Sequence, residues 1–219
     1  MLALNSILVE APQALTKNFS AELPRAIIIG ISSPNPAICD NAVLAAGKYL
    51  LAETSSKESA AIKPIMETLA SSMMPGKSID TRRLSLVVVR TVARQDNDLI
   101  RPFLPTLVPA VFAGVRDMVI PIKLAAEAAF LGLFSIVDEE GAVYEQYMAT
   151  EGEKLQAGPK RSMNDYYKRV ATRLAAQARE RKEAEGGAGG LGLSSDEVED
   201  EREVWSVGRV EIADGKAFE

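Results

Sequence analysis

Ile62-Lys63-Pro64-Ile65-Met66-Glu67-Thr68-Leu69, then the turn Met74-Pro75-Gly76-Lys77, then an apolar run over 79–92 that contains Arg82-Arg83-Leu84-Ser85-Leu86-Val87-Val88-Val89-Arg90-Thr91: this stretch decides the fold. In its second half Leu84, Val87, Val88 and Thr91 fall on one face at helical spacing. Leu86-Val87-Val88-Val89 taken alone suits a buried parallel strand. It is embedded between Arg82-Arg83 and Arg90, however, and its flanks lack strand-turn chemistry. The expected unit is a helix, a turn built on Pro and Gly, and a second helix.

The same layout appears on both sides. Upstream it reads Glu22-Leu23-Pro24-Arg25-Ala26-Ile27-Ile28-Ile29-Gly30-Ile31, the turn Ser32-Ser33-Pro34-Asn35-Pro36, and a helix over 38–51. Downstream it reads Phe103-Leu104-Pro105-Thr106-Leu107-Val108-Pro109-Ala110-Val111-Phe112, a turn around Arg116-Asp117, and a helix over 120–137. Pro24, Pro64 and Pro105 recur at about 41 residues, as do Asn41, Arg82 and Lys123 near the start of each second helix. In the outer pairs the apolar faces are assigned to Val43, Ala46, Gly47 and Leu50, and to Leu124, Ala125, Ala128 and Leu131. The three prolines are expected in first turns, where a missing N–H is tolerated. Pro121 suits the first turn of its helix, with Asp117 as cap or dipole partner, and Gly47 suits close helix approach. A period of this length with two helices per unit is that of HEAT repeats, so the expected fold is all-α, a HEAT/armadillo-like α-solenoid of antiparallel helix pairs.

Around that array the chain divides into residues 1–149 as HEAT repeats, 150–185 as a loop and a long basic amphipathic helix, 186–195 as a flexible Gly-rich linker, and 196–219 as an acidic tail with one tryptophan. Leu2, Leu4, Ile7 and Leu8 read as the second helix of a pair whose first is missing. That helix has no polar capping face, so the chain is expected to continue a longer array or to have been cut from one. Val143, Tyr144, Tyr147 and Met148 suggest a short helix. After a polar loop over 150–161, Ser162-Met163-Asn164-Asp165 opens the long helix, with Ser162 or Asn164 as cap and Tyr166, Val170, Leu174 and Ala178 as its stripe.

Composition narrows the function. The apolar share of 47% supports a sizeable core, and the aromatic share of 5% favours helices that approach closely through small side chains. There is no histidine and only one cysteine, Cys39, so Ser-His-Asp triads, Cys-His pairs and His- or thiolate-ligated zinc cannot be assembled from this sequence. No carboxylate, Lys, Ser or Tyr arrangement replaces them. A non-enzymatic role without cofactor or metal is expected. Asp138-Glu139-Glu140 lacks the glycine pattern of a calcium loop, and Cys39 reads as a small core residue. No run of 18 uncharged apolar residues is present, so no membrane partner is expected, and the lone cysteine suits a reducing, cytoplasmic setting. The formal charge of −5 argues against a chain devoted to nucleic acid while leaving room for local basic patches.

Three stretches carry a more specific likeness: Arg116-Asp117-Met118-Val119-Ile120-Pro121-Ile122-Lys123-Leu124-Ala125-Ala126-Glu127, Asp80-Thr81-Arg82-Arg83-Leu84-Ser85-Leu86-Val87-Val88-Val89-Arg90-Thr91, and Glu199-Asp200-Glu201-Arg202-Glu203-Val204-Trp205-Ser206-Val207-Gly208. With their spacing, they resemble the extreme C-terminal region of the fungal general-control translational activator, a family of giant HEAT-repeat proteins. The resemblance implies a scaffold that associates with ribosomes or polysomes. It also implies a part in activating the kinase of initiation factor two alpha during amino-acid starvation. The alternative is a generic HEAT-repeat adaptor for other protein partners.

Contact surfaces are sought among the charged residues. Lys168, Arg169, Arg173 and Arg179, with Lys160, Arg161, Arg181 and Lys182 nearby, form either a phosphate-contacting helix that touches ribosomal RNA or a solvated face with intrahelical pairs. The acidic tail is a partner-docking peptide, a segment that folds back on the basic helix, or a solvated end. Trp205, flanked by valines, favours docking onto the solenoid. Arg82, Arg83 and Lys123 either line a concave surface or pair with an acid in the adjoining turn, for which Asp80 and Asp117 are available.

Overall fold

The computed structural model describes residues 22–52, 60–134 and 142–185, with the side chains of 174, 175 and 177–185 outside that description. Three helix pairs follow one another: α1 (Glu22–Ile31) with α2 (Pro36–Ala52), α3 (Ile62–Ser72) with α4 (Ile79–Gln95), and α6 (Leu104–Val115) with α7 (Ile120–Leu133). The short α5 (Asn97–Ile100) and a 3-10 turn (Arg101–Phe103) join the second pair to the third. After it come α8 (Ala142–Thr150), a 3-10 turn (Gly152–Lys154) and the long α9 (Ala157–Glu185). First helices α1, α3 and α6 pack side by side in one row, and second helices α2, α4 and α7 in another. That two-row arrangement is a helical solenoid, and no strand occurs among the described residues. The valine run 86–89 is fully inside α4.

Local sequence explains the helix starts. Ser78 Oγ accepts the Thr81 N–H at 3.0 Å to cap α4, whose first turn carries Asp80 and whose last carries Arg94, both matched to the helix dipole. Asn35 Oδ1 accepts from Ala37 N–H at 3.0 Å just before α2. Asp117 Oδ1 likewise accepts from Val119 N–H at 2.8 Å just before α7. Gly76 occupies the equivalent place before α4 and meets the turn with φ of +107°, a backbone state that side chains resist. Pro24, Pro64, Pro105 and Pro121 all fall in first turns, as expected, whereas Pro109 lies within α6.

Small side chains bring the pairs together. A Cβ built at Gly114 would lie 2.8 Å from that of Ala126, so α6 and α7 touch almost backbone to backbone. Ser72 and Ser85 hydroxyls meet at 2.6 Å between α3 and α4. Adjacent pairs are tied across the period as well: Thr81 Oγ1 donates to Asp40, and Lys77 Nζ donates to the Ile31 carbonyl at 2.9 Å. Cys39 is buried and its thiol donates to the same carbonyl.

Two expectations need correction. The face assigned on α7 is the wrong one: Ile122, Ala126, Ala129, Phe130 and Leu133 are buried, while Leu124 stays 59% exposed and Ala125, Ala128 and Leu131 are half-buried. That helix is apolar nearly all round, so its periodicity carries little direction. The long helix starts at Ala157 rather than near Ser162 or Asn164. Gly158-Pro159 is no breaker there, because a proline in the first turn forfeits no intrahelical bond. The readings of 2–8, of 138–140, of the linker over 186–195 and of the tail over 196–219 lie outside the described residues.

Asn97–Val115 is 19 residues long and apolar enough to pass for a spanning helix by length and composition. It reaches that length only by joining α5, the 3-10 turn and α6. It carries Asp98 and Arg101, and more than half of it is buried in the stack, as a core helix would be.

Candidate functional site

Beyond α7 the packing changes character. Phe130 meets Tyr166 edge-on at 5.2 Å between ring centroids and Phe134 at 4.9 Å. Phe134 in turn meets Tyr144 at 5.0 Å, and Phe112 meets Tyr166 at 6.1 Å. Tyr144 stacks flat on Tyr167 at 3.7 Å, and its hydroxyl donates to Asn164 Oδ1 at 2.7 Å. Asn164, expected as a cap, is thus a tie between α8 and α9. Burial pushes the Tyr147 phenol up to about 12 and moves those of Tyr144 and Tyr166 further up, so all three stay neutral at physiological pH.

The rings seat the start of α9 against the C-terminal part of α7. A cleft of about 610 Å³ opens beside the N-terminal half of α7, where Lys123 and Glu127 face α9. Its floor is Phe112, Val115, Tyr166 and Val170, all buried. Four cationic side chains from three elements stand around it: Arg116 after α6, Lys123 on α7, and Arg169 and Arg173 on α9. All four are exposed to solvent. Among the described residues two carboxylates, Glu127 and Asp165, face them. Asp165 lies 3.9 Å from Arg161 one turn earlier, and the Arg169 guanidinium lies 6.0 Å from the Tyr166 ring centroid. The Tyr166 hydroxyl is buried and has no hydrogen-bond partner among the described residues. Chemically the cleft suits an anionic ligand with an apolar or aromatic group, because cations rim an apolar floor.

The structure sorts the residues singled out by sequence. Arg169 and Arg173 line the cleft together, whereas Lys168 is exposed on α9 away from it. Arg179 lies on α9 with its side chain outside the description, and Trp205 lies outside the described residues. Tyr166 and Val170 form the buried stripe as expected. Arg82 is taken by structure: it is buried, its Nε donates to the Met73 carbonyl at 3.1 Å, and its guanidinium pairs with Asp117. The Val119 N–H and then Arg82 hold the Asp117 carboxyl below its ordinary range. Sequence reasoning missed Arg116 and Glu127 as cleft residues. The available signal was Lys123 and Glu127 at i,i+4, which mark the solvent side of an otherwise apolar helix.

A second surface repeats with the array. Ile38, Ile79 and Ile120 hold equivalent places, 41 residues apart, at the start of α2, α4 and α7, and all three are exposed. Near the third of them Met118 and Leu124 are also exposed.

Comparison with known proteins adds three findings. A family model described as GCN1-like, C-terminal HEAT repeats, matches residues 1–145. The chain is 37% identical to the eIF-2-alpha kinase activator GCN1 of Saccharomyces cerevisiae across 97% of its own length, and spans 9% of the length of that relative. No solved structure matches.

Proposed function

The chain belongs to the GCN1-like family of C-terminal HEAT repeats, and from that membership we propose that it is a binding scaffold in the activation of an eIF-2-alpha kinase under amino-acid starvation. It acts by presenting surfaces and not by catalysis. We assign residues 1–149 to the repeat array, 150–185 to the loop and basic helix, 186–195 to a linker and 196–219 to an acidic tail. Its setting is the cytoplasm and its partners are ribosomes or polysomes and the kinase pathway. The observation that carries this reading is the family match over an array whose exposed edge shows one isoleucine per repeat, Ile38, Ile79 and Ile120. Ribosomal RNA is the polyanion assigned to Lys168, Arg169, Arg173 and Arg179, whose affinity for phosphate would fall steeply with salt.

The test is made in starved cells that carry the native chain. Replacing Ile79 and Ile120 by Glu should lower phosphorylation of eIF-2-alpha without altering the amount of the protein, and unchanged phosphorylation would remove the proposal. Arg169→Glu with Arg173→Glu should weaken cosedimentation with ribosomes in low salt. If ribosome association is absent in the native chain while other protein partners are retained, the generic adaptor is the better reading.

A further inference from the structure

We propose that the cleft between α7 and α9 is the docking site of the chain's own segment Glu199-Asp200-Glu201-Arg202-Glu203-Val204-Trp205-Ser206-Val207, with the Trp205 indole on the apolar floor and the acidic run against the cationic rim. The cleft and the segment are complementary in charge. Arg116, Lys123, Arg169 and Arg173 outnumber the carboxylates beside them, and the segment places four acids within five residues just before its tryptophan. They are complementary in shape and polarity as well. The floor built from Phe112 and Val170 is apolar, and at about 610 Å³ the cleft has room for an indole with a flanking valine.

The chain can make the return. From Arg173 to the end of α9 at Glu185 is about 18 Å along the helix axis. The 18 residues between Glu185 and Val204 span up to about 60 Å when extended, and they include the glycine-rich run 186–192. Tethering makes the encounter intramolecular, so modest contacts suffice to hold the segment in place. Attraction between an acidic peptide and a basic rim at the surface is screened by salt, with a Debye length of about 3 Å at 1 M. The docked state therefore loosens as ionic strength rises.

Trp205 is the single tryptophan of the chain, so tryptophan fluorescence reports the surroundings of this one side chain. In this 219-residue chain at low salt its emission should be blue-shifted and shielded from acrylamide. Lys123→Glu, Arg169→Glu and Arg173→Glu together should shift it red and raise quenching to that of a free peptide of the same sequence, with the helical circular dichroism unchanged. Reversing Arg25 and Lys63, exposed on α1 and α3, should do neither, which separates the cleft from net charge. A zero-length carbodiimide cross-link in the unaltered protein should join Lys123 to an acid within 199–203. A solvent-like Trp205 in the native chain overturns the proposal and leaves the cleft to another protein's acidic peptide. A shielded Trp205 that ignores the cleft substitutions and gives no Lys123 cross-link overturns it too, by placing the segment elsewhere. The readout uses the isolated chain, so it succeeds or fails independently of the kinase-pathway reading.

Discussion

The stack from α1 to α7 and the cap made by α8 and α9 are held together by opposite means. In the stack, small residues meet: Gly114 against Ala126, Ser72 against Ser85, and a valine-rich α4 that is buried from Ser85 to Ala93. In the cap, rings meet rings, from Phe130 and Phe134 to Tyr144 and Tyr166. Small side chains let helices close up along their length, as Gly114 and Ala126 do between α6 and α7. Bulky ones fix separate helices at a distance, and a cleft remains beside them. The position where the 41-residue period gives way to aromatics is therefore where the cleft opens.

The sharpest way to break this contrast is to put a charge into the close-packed side. Ala126→Arg should cost about 5 kcal/mol or more, because the guanidinium has neither space nor a partner between α6 and α7. Leu124→Arg, two residues away on the outward face, should change stability by less than about 0.5 kcal/mol. Chemical denaturation of both variants checks this. Equal losses would mean that α7 does not turn Ala126 inward and Leu124 outward.

On the aromatic side, Phe130→Ala removes the ring that touches Phe112, Phe134, Tyr144 and Tyr166. A loss of about 3–4 kcal/mol is expected for a buried ring with rigid neighbours. It should be local. Amide hydrogen exchange should quicken over α8 and the start of α9 while α1 to α4 keep their protection. Quickening across the whole chain would show that cap and stack unfold as one unit.

Asp117 joins pairs across the stack, and its contribution depends on pH. Its folded pKa is depressed, first by the Val119 N–H and then by Arg82. The stabilisation is therefore complete above the unfolded carboxylate value of about 3.9 and fades as the pH falls toward the depressed folded value. Asp117→Asn keeps an acceptor for Val119 but loses the charge facing Arg82. It should lower the melting temperature modestly at neutral pH, with the gap to the native chain closing in acid. A gap that stays constant down to pH 3 would show that the charge does not matter.

Much of the stack was legible because it repeats. Pro24, Pro64 and Pro105 announced three pairs, and Asn41, Arg82 and Lys123 fixed their register. Pairing of an inner-helix cation with an acid in the adjoining turn was readable too, and Arg82 with Asp117 realises it. The facing of α7 was not readable, since a helix that is apolar all round offers no contrast from which to take a direction. Nor was the cleft. Arg169 and Arg173 could be picked out on a basic helix, but Arg116 and Lys123 join them only through contacts more than 40 residues apart in sequence, outside the repeat. Phe130 and Tyr166, which set that geometry, are spaced by no period at all.

The smallest expected effect tests the floor of the cleft. The Tyr166 hydroxyl is buried with no hydrogen-bond partner among the described residues, and burial, reinforced by Glu127, keeps it protonated. A buried hydroxyl with a good partner contributes about 1 kcal/mol, while one without a partner carries a desolvation penalty with nothing to offset it. Tyr166→Phe preserves the ring contacts with Phe112 and Phe130 and removes only that oxygen. The variant should match the native chain in denaturant midpoint or exceed it slightly, by about 0.5 kcal/mol. A loss of about 1 kcal/mol or more would mean that the hydroxyl is satisfied in solution by an ordered water or by a carboxylate, and would place a polar anchor on a floor described here as apolar.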